Sequence, residues 1–237
     1  MKKILLSAVA IMAGSLLAAY ADPKDDVTSA AQKLDAGSNY TWQVTTTVPE
    51  GARFRRGPMD GKMQGSLTEV KWTMGDAHAH FVKDGTNAAV TDPDDGTWEK
   101  LSDVDTSGFP GRMLVGMVQN FKSPAAQAAD LAADTQSLQQ NGNAYTGTLT
   151  EDGAKKLLTF GRGRRGGGGG GPSISNPSGT ATFWIDNGQL TKFEYNVKGT
   201  ISFNGNDRPA DRDVTVTFSD VGTTKIDVPD DAKKLLP

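Results

Sequence analysis

The 237-residue sequence contains no cysteine. This absence excludes disulfide bonds, thiolate metal sites, iron–sulfur clusters and cysteine nucleophiles. It also excludes a lipid anchor attached through a cysteine after the apolar N-terminal run. A chain of this length can bury enough apolar surface to fold without disulfide bonds, so a globular domain is still expected.

Histidine is scarce as well, because His78 and His80 are the two in the chain. Two residues apart on a predicted strand, they share the face opposite Phe81, where they could ligate zinc or copper together with Met74 or Asp76. A stable metal site needs three or four ligands. We therefore interpret both histidines as solvated residues of a sheet, and we expect neither a metal site nor a cofactor.

The sequence also lacks the patterns of common catalytic sites. No G-x-S-x-G elbow is present, and a serine nucleophile would need a histidine base beside it. The acidic residues are scattered in turns and on polar strand faces, so no carboxylate pair is visible. We expect no catalytic residues and no enzymatic activity.

A strong excess of one charge is missing too. The chain has 25 Lys and Arg against 28 Asp and Glu, which gives a net charge of −3. Proteins that bind nucleic acids by electrostatic attraction carry an excess of positive charge. The mild acidity therefore argues against nucleic acid as a partner.

The N-terminus has the pattern of a secretory signal peptide. Two lysines precede an apolar run over residues 4–19, and the small residues of "AYA" at 19–21 fit a cleavage site. We predict a signal peptide over residues 1–21 and an exported protein, periplasmic or secreted, that is soluble after cleavage. An uncleaved N-terminal anchor is the alternative. Residues 22–237 are predicted to form a single domain.

Apolar and polar residues alternate with a period of two in several stretches, such as "NYTWQVTTTV" and "RDVTVTFSDV". This alternation is typical of strands with one buried face. The clearest hairpin has Asn187-Gly188 between "TFWID" and "QLTKFEYNVKGTISF", because this pair tolerates positive φ at both turn positions. A last short strand is predicted around Ile226.

Other stretches have a helical period instead. The first begins with acidic residues after residue 21 and ends at Gly37. The second, over residues 109–121, has Met113 and Met117 on a wide apolar stripe. Together the patterns predict an α+β fold, in which a strongly curved antiparallel sheet of about 7–9 strands, an incomplete β-barrel, is covered by helices.

The order of these elements resembles the LolA-like fold, which is shared by periplasmic lipoprotein carriers and by lipid-binding lipoproteins of the LppX/LprG type. The likeness is carried by "ATFWIDNGQLTKFEYNVKG" and by "RDVTVTFSDVGTTKIDVPDDA" near the C-terminus. It implies a noncatalytic carrier or sensor. Such a protein would bind a lipid, an acyl chain or a lipidated protein in an apolar pocket between the sheet and the helices.

For such a carrier, the large apolar side chains that are predicted to face inward are the candidate ligand-lining residues. They are Trp42, Trp72, Phe81, Met113, Met117, Phe121, Phe193 and Tyr195. The same residues would serve a packed core. The alternative is therefore a structural or interaction module of the cell envelope, with a filled core and no small-molecule ligand. The carrier predicts an internal pocket of several hundred cubic ångströms and a lipid or lipoprotein as partner, whereas the module predicts a filled interior and an envelope protein as partner.

The segment "FGRGRRGGGGGGPSISNPSGT" lacks the Gly-Lys-Ser/Thr end of a phosphate-binding loop, and export argues against an RNA-binding role. We predict a flexible Gly/Arg-rich loop over residues 161–179. Its arginines and those of "PEGARFRRGPMDG" are candidates for contact with an anion or an envelope partner, with solvated loop charges as the alternative. These arginines are Arg53, Arg55, Arg56, Arg162, Arg164 and Arg165.

Overall fold

Strands dominate the structure, a computed structural model that describes residues 22–49, 57–74, 77–92, 95–159 and 173–236. The strands within these ranges are Asn39–Thr47 (β1), Met59–Gln64 (β2), Leu67–Met74 (β3), Ala77–Asp84 (β4), Asn87–Thr91 (β5), Trp98–Lys100 (β6), Thr135–Asn141 (β7), Ala144–Leu149 (β8), Ser173–Asp186 (β9), Gln189–Phe203 (β10) and Asn206–Ser219 (β11). The helices are Pro23–Gly37 (α1), Phe109–Gln119 (α2), Pro124–Ala133 (α3), Glu151–Thr159 (α4) and Asp230–Lys233 (α5).

The strands form one antiparallel sheet in the order β6-β5-β4-β3-β2-β1-β11-β10-β9-β8-β7. The first six strands run outward from the middle to one edge, and the last five return from the other edge. The two groups meet where β1 pairs with β11, with Trp42 opposite Phe218. Within the described chain the edge strands β6 and β7 do not pair with each other. The sheet is therefore unclosed.

The predicted α+β class and the large antiparallel sheet are confirmed, but the predicted number of strands was too low. Eleven strands form where about 7–9 were expected from the alternation. Two of the unpredicted strands are β2 and β7, which read "MDGKMQ" and "TQSLQQN". Polar residues dominate both, so neither carries the repeated apolar positions that identify a strand with one buried face.

Local signals set the ends of α1 and of the main hairpin as predicted. The Asp22 side chain accepts a hydrogen bond from the Lys24 N–H at 2.9 Å and caps α1, whose apolar face is buried. The helix ends at Gly37, and the left-handed residue after it is Ser38, with φ of 42°. The turn between β9 and β10 has φ of 51° at Asn187 and 75° at Gly188, as a tight hairpin requires.

The chain after β11 corrects two predictions. No strand forms around Ile226; residues 224–236 instead cross the outer face of the sheet without pairing as a strand. Ile226 and Val228 join an apolar cluster there with Val82 and Trp98. The outer face is therefore not solvated throughout, because residues 224–236 cover part of β3 to β6. We call residues 224–236 the C-terminal segment.

The structure also shortens the predicted Gly/Arg-rich loop over 161–179. Strand β9 begins at Ser173 and pairs with β10, so residues 173–179 belong to the sheet. The rest of that loop and the predicted signal peptide over 1–21 lie outside the described residues. The six candidate arginines also lie outside them.

Candidate functional site

Aromatic rings on the inner, helix-covered face form one continuous chain across the sheet. Successive ring centroids are between 5.5 and 6.3 Å apart, which is ordinary contact distance for aromatic pairs. In order, the rings are Phe183, Phe193, Phe218, Tyr40, Trp42, Phe121, Phe81 and Trp72. We call these eight residues the ring chain.

One ring of this chain does not come from a strand. Phe121 follows α2 and lies between Trp42 of β1 and Phe81 of β4. Its ring stacks on the indole of Trp42 at 6.0 Å and meets the ring of Phe81 edge-on at 5.6 Å. Because Trp42 and Phe81 are not themselves paired, Phe121 joins the two parts of the ring chain.

Five of the eight predicted lining residues belong to the ring chain. They are Trp42, Trp72, Phe81, Phe121 and Phe193. Met117 and Tyr195 are partly buried against the same core, and Met113 is partly exposed on α2. The remaining rings, those of Tyr40, Phe183 and Phe218, were not among the predicted lining residues. All three occupy apolar positions of alternating strands, so the signal for them was present.

The rings of the ring chain contact one another on the inner face. Two clefts among the described residues are lined mainly by outer-face side chains. One has a volume of about 360 Å³ beside Lys71, His78 and His80, and the other about 350 Å³ beside Glu194 and Asp213.

The helices that cover the inner face are attached in different ways. α1, α3 and α4 make polar contacts with neighbouring elements; for example, the Lys24 ammonium donates to the carbonyl oxygens of Ala133 and Thr135 at 3.0 and 2.8 Å. The side-chain bonds of α2 stay local, because Arg112 donates to the Ser107 carbonyl at 2.8 Å, in the loop before the helix. Among the described residues, α2 has no hydrogen bond to a strand or to another helix.

Apolar side chains therefore hold α2 in place. Leu114 and Val118 are buried in the core, and Met117 packs against it. The helix begins after Gly108, which offers no side-chain cap. Gly111 allows a close approach to the preceding loop, since a Cβ there would lie 1.9 Å from the carbonyl oxygen of Asp105.

Trp42 is the ring whose surroundings are most tightly determined. It is 1% exposed, and its indole lies directly on Gly61 of β2. A Cβ at Gly61 would be 2.0 Å from Cζ2 and 2.3 Å from Cε2 of the indole, so this position of the ring requires glycine. The indole Nε1–H is buried and has no acceptor among the described residues. A buried donor without an acceptor costs about 1–3 kcal/mol.

Tyr40 lies next to Trp42 in the ring chain and carries a second buried polar group. Burial, together with the charge of Asp35, raises the pKa of its hydroxyl to about 12, while a hydrogen bond with Ser123 acts in the opposite direction. The phenol is therefore neutral at physiological pH. Glu69 is the one charged residue among the buried, described residues, and it lies on the outer face.

The two histidines differ more than predicted. His78 is exposed, as expected, with its Nδ1 3.3 Å from the Thr73 hydroxyl. His80 is partly buried, because its ring packs on Trp98 with centroids 4.6 Å apart. Its Nε2 lies 2.9 Å from Oε1 of Glu69, so the interpretation of His80 as a solvated residue was wrong.

Glu69 was not identified from the sequence. It is 5% exposed, and its Oε1 lies 2.9 Å from both His80 Nε2 and Lys71 Nζ. The hydrogen bond with His80, helped by Lys71, lowers the pKa of this carboxyl to about 2 against the opposing effect of burial. Within the described ranges, no three His, Cys, Asp or Glu side chains come close enough to hold a metal ion.

None of the described helices combines the length and the apolar character that crossing a membrane requires.

Comparison with known proteins gives matches in structure. No protein-family model and no curated protein sequence matches the chain. The lipoprotein LppX of Mycobacterium tuberculosis matches with 15% identity and a TM-score of 0.42, over 86% of this chain and 98% of LppX. LprF of Mycobacterium bovis matches with 13% identity and a TM-score of 0.43, over 89% of this chain and 97% of LprF.

Proposed function

We propose that the protein is a noncatalytic binder of an apolar chain, such as an acyl chain of a lipid or of a lipidated protein. The ligand would lie between α2 and the inner face of the sheet. The observation that carries this proposal is the attachment of α2. It covers the aromatic inner face through apolar side chains, without a hydrogen bond to any described strand or other helix.

The ligand would take the place of the Phe121 ring. Removing a fully buried phenylalanine from its apolar surroundings costs about 1.5–3 kcal/mol, and each buried methylene of a ligand contributes about 0.8 kcal/mol. Phe121 is only partly buried, so its release costs less than this. Two to four methylenes would therefore more than offset its release, and a longer acyl chain would supply more. The methionines of α2, Met113 and Met117, suit such a site because their unbranched side chains adapt to ligands of different shape.

Such a binder would act outside the cytoplasm as a carrier or sensor, which follows from the predicted signal peptide over residues 1–21. The candidate arginines of the two turn-rich segments would then meet lipid phosphates or an acidic envelope partner. That role stays a prediction from the sequence.

A second candidate function is an envelope interaction module with a filled core. The packing of the ring chain favours it, because the eight rings already contact one another across the inner face. This module would bind its partner through the outside of the molecule and take up no lipid.

Uptake of a fluorescent fatty acid by residues 22–237, together with native mass spectrometry of the purified protein, separates the two candidates. We expect uptake by the wild type. Phe121→Ala should bind about tenfold more tightly, because the ligand no longer has to displace the ring.

Phe203→Ala is the matched control, because it removes the same ring from a site that is 52% exposed. It should leave uptake unchanged. If neither the wild type nor Phe121→Ala takes up the fatty acid, and no lipid co-purifies, the filled module is the correct function.

A further inference from the structure

The buried indole N–H of Trp42 is the one polar group of this tryptophan, and it lies in the middle of the ring chain. Buried donors in proteins nearly always have an acceptor, so one without an acceptor calls for an explanation. Here the group belongs to the indole on which Phe121 is stacked, and Phe121 is the ring that the proposed ligand would displace. An inference about this N–H therefore rests on the proposed function and deepens it.

The position of the N–H is fixed by its neighbours. The indole contacts both Gly61 of β2 and the ring of Phe121. The donor is bonded to Cε2, which is among the indole atoms nearest to Gly61. When Phe121 leaves, Gly61 still holds the indole, and a ligand in the place of Phe121 contacts the indole that carries the N–H.

We infer that the Trp42 N–H is the polar anchor of the ligand site and donates a hydrogen bond to a carbonyl oxygen of the bound acyl compound. The hydrocarbon tail then extends from Trp42 past the position of Phe121 towards the rings of Phe81 and Trp72. The ligand class is therefore an oxygen-bearing acyl compound rather than a plain hydrocarbon.

The charge of the site selects the kind of carbonyl. No lysine or arginine is among the buried residues of the described chain, and the one buried charge, Glu69, lies on the outer face. A carboxylate without a positive partner would be costly to bury there. An ester or amide carbonyl fits beside the N–H, whereas an ionised fatty acid would bind with its carboxylate outside the site and would not gain this hydrogen bond.

The experiment uses three ligands with the same chain length: methyl palmitate, palmitic acid and hexadecane. Each is titrated into 15N-labelled residues 22–237, and the indole N–H resonances of the four tryptophans are followed by NMR. Trp42→Phe identifies the Trp42 resonance by its disappearance. We expect methyl palmitate to move this resonance downfield, as formation of a hydrogen bond does. Hexadecane should cause no such downfield shift.

Affinities supply the second measurement. Methyl palmitate should bind the wild type about fivefold more tightly than hexadecane, the amount expected for one added hydrogen bond. At pH 7 palmitic acid should bind with about the affinity of hexadecane. At a pH where the acid is neutral, its affinity should approach that of the ester. Trp42→Phe should abolish the preference for the ester. Trp184→Phe, the same change on the sheet far from Phe121, should preserve it.

The outcomes separate this inference from the proposed function. If hexadecane and the ester bind equally and the Trp42 resonance does not respond to the ester, the site holds an apolar chain but Trp42 is not its anchor. Tighter binding of ionised palmitate than of the ester would overturn the choice of a neutral carbonyl. If no ligand binds, the proposed function fails and the anchor with it.

Discussion

The two halves of the sheet are covered in opposite ways. On the inner face of β7–β11, the helices are tied by polar bonds as well as apolar contacts. The Lys24 ammonium bridges α1 to the carbonyls of Ala133 and Thr135, and the Arg212 guanidinium of β11 donates to the carbonyl of Leu157 on α4. On the inner face of β1–β6, α2 is held by apolar side chains alone.

On the outer face, the polar attachment is found in the other half, β1–β6. The strands β3 to β6 are covered by the C-terminal segment, which is hydrogen-bonded to the sheet: the Ile226 N–H donates to Oε1 of Gln64 at 2.8 Å. Beneath this cover, Glu69 is bonded to His80 and Lys71. The half of the sheet with the weakly attached inner helix is thus fastened from outside. We therefore predict that α2 can move away without loss of the strands beneath it.

The largest test of this contrast replaces a ring in each half. Phe193→Ala removes a ring that is 1% exposed between Phe183 and Phe218, and it should lower the free energy of unfolding by about 3–5 kcal/mol. Phe121→Ala removes a partly exposed ring and should cost less than about 2 kcal/mol. Urea denaturation measures both values.

The contrast between the halves fails if the two substitutions cost the same. It also fails if Phe121→Ala loses the near-UV circular dichroism of the packed aromatic rings, because α2 would then be needed for the fold of the sheet.

A second test concerns the outer fastening at Glu69. Its pKa is lowered from 4.5 to about 2, so its contribution is fully present above pH 4.5 and is lost as the pH falls towards 2. This shift in the pKa of Glu69 corresponds to a contribution of about 3 kcal/mol to the free energy of unfolding. Measured by urea denaturation, the wild type should lose about this much more stability than Glu69→Gln between pH 5 and pH 2.

Glu194→Gln is the matched control for Glu69→Gln. Glu194 also lies on a strand and pairs with a lysine, Lys192, at 3.0 Å, but its side chain is 42% exposed. Pairs of this kind contribute about 0–1 kcal/mol, so the control should follow the wild type through the acid range. Equal behaviour of the two glutamine variants would show that Glu69 does not brace the sheet.

The same contrast explains how much of the fold could be predicted from the sequence. Alternation identifies strands whose inward residues are large, such as β1 with Trp42 and β10 with Phe193. It fails for β2, where the inward position opposite Trp42 is Gly61, because the indole itself fills the space of the missing side chain. Alternation also predicted a strand around Ile226, since a segment that packs on a sheet face shows the same period as one that pairs with it.

Five residues of the ring chain were named from the sequence, but the contacts among the rings could not be predicted. The helical spacing over residues 109–121 marks Phe121 as inward-facing, yet its position between Trp42 and Phe81 depends on how distant parts of the chain meet. Glu69 looks like a solvated outer-face residue in the sequence. It is buried because Trp98 and the C-terminal segment cover that part of the outer face, and no local pattern reports such a cover.

A third test measures the attachment of α2 directly. Local opening exposes the segments with the fewest stabilising contacts at free energies below that of global unfolding. We expect the amides of α2 to exchange hydrogen at least about tenfold faster than those of α1, a difference of about 1.4 kcal/mol in opening free energy. Hydrogen–deuterium exchange with mass spectrometry makes this comparison within one sample. Equal protection of α1 and α2 would contradict the contrast between the halves.

The smallest expected effect separates the stability of α2 as a helix from its attachment to the sheet. At Gly116 a Cβ would meet nothing within 4 Å, so Gly116→Ala should stabilise the helix by about 1 kcal/mol without adding a contact to the sheet. At Gly111 the added Cβ would lie 1.9 Å from the Asp105 carbonyl oxygen, so Gly111→Ala should lower the free energy of unfolding.

If the ligand enters by movement of an intact α2, Gly116→Ala will slow hydrogen exchange within the helix and leave the affinity for a fluorescent fatty acid unchanged. If the helix is unfolded in the complex, the same substitution will weaken binding about fivefold, because the added helix stability opposes unfolding of the helix. The affinity of this one variant therefore distinguishes an α2 that moves as an intact helix from an α2 that unfolds.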